Sequence, residues 1–74
     1  PGPSASFGKT VRLRLASGRE QVWRIVGEDE ADPKRGLLSW ASPLARALQG
    51  AEAGDEVAPQ GLPPVEVVEV SGGG

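Results

Sequence analysis

The stretch I-V-G-E-D-E-A-D-P-K-R-G-L-L-S-W-A-S-P-L-A-R-A-L-Q-G, residues 25–50, joins an acidic turn to a short, sharply capped helix, and its reading decides the fold. Ser42 has the character of an N-cap, because a serine hydroxyl accepts from the free backbone amides of the first helical turn. Pro43 then falls at the first helical position, where its missing N–H leaves nothing unsatisfied. Gly50 supplies the stop. Leu44, Ala47 and Leu48, at i, i+3 and i+4, share one face while Arg46 and Gln49 point elsewhere, so the predicted helix is amphipathic. At about two turns it is too short to persist alone, since isolated helices below ~12 residues are marginal in water. It therefore has to lie on a sheet, and L-L-S-W at residues 37–40 supplies a short strand just before it.

Towards the N-terminus, Val11, Leu13 and Leu15 alternate with Arg12 and Arg14, the period of a strand with one buried face. A turn around Gly18 follows, and residues 21–26 (Q-V-W-R-I-V) form the second arm of a hairpin. A two-residue turn at Ser17 and Gly18 would set Leu13 opposite Val22, whereas a three-residue loop would set it opposite Trp23. The second is preferred, because it gathers Val11, Leu13, Trp23 and Ile25 on one face, although it also places Arg12 opposite Arg24 at a small repulsive cost. Trp23 and Trp40 are both expected in the core, as tryptophan is highly buried on average.

Beyond the helix, residues 55–59 give a fourth strand and residues 65–70 a fifth. In the latter Val65 and Val67 share one parity and Val68 and Val70 the other, so a bulge or burial on both faces is expected. Pro59, Pro63 and Pro64 confine their region to an edge or a loop. The order strand, strand, strand, helix, strand, strand predicts an α+β domain: one short helix packed across a twisted, mostly antiparallel sheet of about five strands. Residues 1–6 (P-G-P-S-A-S) read as a flexible linker and residues 71–74 as a flexible tail, leaving 7–70 as the domain.

Composition removes most chemistry. The chain has 74 residues, no cysteine and no histidine, which excludes a disulfide framework, a thiol nucleophile, the usual zinc ligand sets and a histidine base. One thin core is all that this length allows. A net charge of -2 argues against strong direct nucleic-acid binding, which ordinarily needs a basic excess. The absence of an apolar run near ~18 residues and of a secretory leader indicates a cytoplasmic chain with no membrane partner. Because it begins with Pro1, it reads as a piece of a longer protein.

The carboxylates Glu28, Asp29, Glu30 and Asp32 invite a metal reading, but Pro33 stands where a calcium loop needs glycine. They are either a solvated turn, with Asp32-Pro33 initiating a bend, or a recognition surface. Arg12, Arg14, Arg19 and Arg24 with Trp23 could form a basic stacking face, yet arginine on the outer face of a half-buried sheet is ordinary. Ser42 lacks a base to activate it and Lys34 has no supporting constellation. The glycines at 27, 36, 50 and 54 do not form a phosphate-cradling loop. No cofactor, metal or catalytic residue is expected, and the chain is not expected to be an enzyme.

These motifs, I-V-G, the acidic run with E-A-D, S-P-L-A-R-A-L, F-G-K-T-V at residues 7–11, G-D-E-V at 54–57 and the closing strand, resemble in order and spacing the C-terminal domain of the bacterial GreA/GreB family of transcript cleavage factors. The sequence P-Q-G-L-P-P at 59–64 departs from that family's T-P-x-G-E hairpin. The resemblance implies an FKBP-like fold and a monomeric anchor that docks on RNA polymerase at the rim of the secondary channel, against the β′ subunit. It also implies that cleavage belongs to an N-terminal coiled coil. Carried over by position, the docking surface is Asp29, Glu30 and Asp32 in the acidic turn with Ser42, Pro43, Leu44 and Arg46 at the helix start. Two alternatives accompany this reading: the same domain in a polymerase-binding regulator that does not cleave, and a peptidyl-prolyl isomerase. An isomerase pocket calls for an aromatic lining, and the chain has no tyrosine and one phenylalanine.

Overall fold

A computed structural model describes residues 4–72. The strands are β1 (Thr10–Leu15), β2 (Glu20–Val26), β3 (Leu37–Ser39), β4 (Glu56–Val57) and β5 (Val65–Ser71), with one helix, α1 (Pro43–Leu48). They form a single five-stranded sheet in the order β3-β2-β1-β5-β4. The pairings β1–β2, β1–β5 and β4–β5 are antiparallel, and β2–β3 is parallel. The α+β class and the mostly antiparallel sheet are thus as the pattern predicts.

The β1–β2 hairpin keeps its predicted faces but not its predicted register. Leu13 lies opposite Gln21, Val11 opposite Trp23 and Arg12 opposite Val22. The Leu15 amide donates to the Arg19 carbonyl at 2.7 Å, so the loop is the three residues Ala16, Ser17 and Gly18. A three-residue hairpin needs a left-handed residue in its last position, and Gly18 occupies it with φ +91. The expected register would have put Arg19 there. The observed pairing also sets Arg14 beside Glu20, with a 3.0 Å ion pair, in place of Arg12 against Arg24.

The slip in β5 is a bulge. Arg12 pairs with Glu69 but Leu13 with Val67, leaving Val68 as the extra residue. The bulge rotates the strand so that Val65, Val67 and Val70 all point into the core despite their mixed parity. They join Val11, Leu13, Ile25 and Leu38 from the sheet and Ala45 and Leu48 from α1 in one cluster, with Leu15, Trp23, Leu44 and Val57 packed at its margin. The buried line of α1 is therefore Ala45 and Leu48 with Leu44 at its side; Ala47, expected on that face, is only partly buried. Two elements are shorter than expected: β4 covers only Glu56 and Val57 of residues 55–59, and β3 ends at Ser39.

The linker reading of residues 1–6 is corrected where the structure describes it. Ala5 is fully buried, donates its amide to Ala51 O at 2.7 Å and accepts from Gly50 N at 2.8 Å, so the entering chain closes the core below the helix end. Ser71, assigned to the tail, is the last residue of β5. Residues 1–3 and 73–74 lie outside the described residues. Among the described residues no helix is long and apolar enough to cross a membrane.

Candidate functional site

The parallel crossover from β2 to β3 is too short for a helix and is made of two 3-10 turns, Glu28–Glu30 and Pro33–Arg35. Asp32 caps the second turn, its Oδ1 accepting from the Lys34 amide at 3.2 Å, and its backbone pairs with that of Leu37. Glu28, Asp29 and Glu30 are exposed, with no buried residue in their turn. The Asp29 carboxylate lies back over Gly27, where an added Cβ would stand 3.1 Å from Oδ1. Among the described residues the ion pairs link Arg12 and Arg14 with Glu20, Glu66 and Glu69, and none includes a carboxylate of this turn. The turn thus presents three exposed negative charges.

Those ion pairs also settle the outer face of the sheet. Arg12 and Arg14, two of the four arginines that could have formed a basic face, are flanked on both neighbouring strands by glutamates at 3.0–3.9 Å, in keeping with ordinary outer-face arginines. The two arginines therefore belong to an alternating charge ladder across β2, β1 and β5. An alternating ladder offers no continuous track for a phosphate backbone.

At the start of α1, Ser42 is fully engaged: its Oγ accepts from the Ala45 amide at 3.2 Å and donates to Ser39 O at 2.8 Å. Pro43 and Arg46 are exposed and border a shallow groove with Ala47 and Gln60. Leu44 turns the other way, into an apolar groove of about 460 Å³ floored by Leu13 and Val65 and walled by Leu62 and Pro63. Asp29, Glu30 and Asp32 instead border an open cleft of about 630 Å³ whose other walls include Phe7, Arg24 and Arg35. The three acidic candidates are thus brought together, whereas Pro43 and Arg46 border one other groove, Leu44 a second, and Ser42 is taken up in capping.

Sequence reading misplaced one residue of this region. Trp40, expected in the core, is 54% exposed, while Trp23 is half-buried against the core margin. Alternation would carry Trp40 to the buried side of Leu38 if β3 continued. The strand stops because Ser39 turns the chain: its Oγ accepts from Ala41 N at 3.2 Å and its carbonyl from Ser42 N at 3.0 Å. The signal was the S-x-x-S spacing of Ser39 and Ser42, since hydroxyls so placed bond local backbone and compete with a ladder. Phe7 likewise lies on the surface, 63% exposed at the rim of the open cleft.

Comparison with known proteins agrees with this architecture. The chain matches the family described as transcription elongation factor, GreA/GreB, C-term, over residues 1–72. It is 48% identical over 73 residues to the transcription elongation factor GreA of Hyphomonas neptunium, covering 93% of this chain and 46% of that protein. To GreA of Alkalilimnicola ehrlichii it is 56% identical over 68 residues, covering 86% and 43%. Among solved structures, the GreA factor homolog 1 (Gfh1) protein of Thermus thermophilus matches with a TM-score of 0.81 at 30% identity, over 96% of this chain and 50% of that one. The GreA/GreB elongation factor of Nitrosomonas europaea matches with a TM-score of 0.75 at 30% identity, over 96% and 63%. The chain spans about half the length of the curated relatives it matches. With sheet order, capped helix and a match along nearly the whole sequence in agreement, the chain belongs to the GreA/GreB C-terminal domain family of transcription elongation factors.

Proposed function

We propose that this domain docks a Gre-family elongation factor on RNA polymerase, in the cytoplasm, anchoring it at the rim of the secondary channel against the β′ subunit. The observation that carries the reading is the exposed acidic turn, Glu28–Glu30, whose carboxylates are not used in any ion pair among the described residues of a Gre-family domain. Unpaired surface charge of one sign steers a partner of the other sign and sets the salt dependence of the encounter. Asp29, Glu30 and Asp32 serve as this charged edge, with Pro43 and Arg46 contributing from the groove at the helix start.

In this reading the domain binds as a monomer and is not itself an enzyme. The apolar groove beside Leu44 is lined chiefly by aliphatic and proline side chains, with Ser17 and Gln21 and no aromatic residue, unlike a pocket suited to isomerising prolyl peptides. Whether the parent factor promotes cleavage or is a polymerase-binding regulator that does not is a property of the other half of such proteins, and docking serves both.

The test is a titration of the chain with core RNA polymerase at two salt concentrations, alongside the double variant Asp29→Lys/Glu30→Lys. The wild-type chain is expected to bind, more weakly as salt rises. The double variant is expected to lose about tenfold or more in affinity, as charge reversal in a complementary patch does, with its melting midpoint unchanged. Absence of wild-type binding, or a double variant that binds as well, overturns the assignment.

A further inference from the structure

Trp40 is an unusual side chain for the surface of a small domain. It is 54% exposed, and no packing role accounts for the large apolar area it leaves in water. Its position is fixed by backbone: the Trp40 amide donates to the Val26 carbonyl at 2.9 Å, which sets it across from the residue preceding Gly27, the N-cap of the acidic turn. On its other side the Ser39–Ser42 hydrogen bonds hold the chain in a tight bend. An exposed tryptophan is thus held on well-tethered backbone next to the strand end that leads into the turn of Glu28, Asp29 and Glu30, whose carboxylates are in no ion pair among the described residues.

We propose that Trp40 is the anchor of the docking face and that the partner segment seated on it is basic, placing an arginine or lysine over the indole while its cationic neighbours meet Glu28, Asp29 and Glu30. This rests on the docking reading above and adds to it the anchor and the chemistry of what it receives. Charge complementarity selects the occupant. The exposed carboxylates of the adjoining turn repel nucleic acid and acidic peptides and attract cations, and tryptophan is the side chain whose face best holds a cation. Central, preorganised tryptophans also carry a disproportionate share of interface energy, because the backbone that orders them is already in place.

The experiment compares binding to core RNA polymerase for the wild-type chain, Trp40→Ala, Trp40→Phe and the triple variant Glu28→Gln/Asp29→Asn/Glu30→Gln, each at low and high salt. Trp40→Ala is expected to lose about tenfold or more in affinity, Trp40→Phe less, and both to keep the wild-type salt slope. The triple variant is expected to flatten that slope. Because Trp40 is exposed, its variants are expected to melt with the wild type, which separates lost binding from lost fold. In a Trp23→Phe background, where Trp40 is the sole indole, its emission is expected to shift to the blue on binding. Full affinity in Trp40→Ala overturns the anchor while leaving docking intact. An unaltered salt slope in the triple variant overturns the basic partner. No binding by the wild type overturns both the docking reading and this one.

Discussion

Leu48→Ala tests the core where it is thinnest. Leu48 is 0% exposed and lies on the buried line of a helix only six residues long, in one core cluster with Val11, Leu13 and Val67, which are also 0% exposed. Those three valine and leucine side chains stand on β1, the central strand, and β5, its interior neighbour, paired along their length. They cannot move inward to fill a void without breaking the ladder, so the space left by the removed atoms stays largely open. Buried leucine-to-alanine changes cost about 2–5 kcal/mol, more where the site collapses least, and about 3 kcal/mol is expected here. A 74-residue chain at the usual stability per residue has about 4–11 kcal/mol in total. Each kcal/mol displaces the midpoint of a domain this size by about 4–8 °C, so a fall of about 12–24 °C is expected. Thermal unfolding followed by far-ultraviolet circular dichroism measures it, with Arg46→Ala on the exposed side of the same helix as the control. A midpoint for Leu48→Ala within about 3 °C of wild type, below the effect of even one kcal/mol, would show that α1 does not pack as described.

Three further outcomes follow from local geometry. Ser42→Ala removes both the helix cap and the hydrogen bond to Ser39 O and is expected to cost about 1 kcal/mol, read as a lower urea midpoint with an unchanged m-value; an unshifted midpoint contradicts it. Deleting Val68, the extra residue of the bulge, is expected to leave a regular β5 with Val65, Val67 and Val70 still inward, so the shortened chain remains folded with a cooperative melt. A non-cooperative melt would mean that the bulge itself is required. Glu20→Gln breaks ion pairs to Arg12 and Arg14 whose side chains are 37–48% exposed, and is expected to cost under about 1 kcal/mol; a loss of several kcal/mol would show the outer ladder to be structural.

What the sequence made legible was local. Ser42, Pro43 and Gly50 each act within one turn of backbone, so the helix could be read with its cap and stop before any contact was known. The valine parity in β5 likewise carried its bulge openly, because side-chain period is a property of the strand itself. Register and face depend on more than one segment. The hairpin shifted because the left-handed position of its loop takes glycine and so falls on Gly18, a condition that outweighs the gain from setting Leu13 against Trp23. Trp40 was misplaced because periodicity says which side a residue would take if the strand went on, and hydrogen bonds donated to Ser39 by the Ala41 and Ser42 amides ended it first.

The candidate site divides in the same way. That Glu28, Asp29, Glu30 and Asp32 form one acidic turn is written in their adjacency. That this turn borders an open cleft with Arg24 and Arg35, while Leu44 and Arg46 face separate grooves, follows from the β2–β3 crossover and the lie of α1 over the sheet. Sequence by itself determined the elements and their caps, since propensity, capping and period are interactions between residues a few positions apart. Only the tertiary structure decided which side chains are buried and which are offered to a partner. Ala5 closing the core and Trp40 left in water depend on chain ends and turns meeting strands distant in sequence, and no local pattern encodes where those meetings occur.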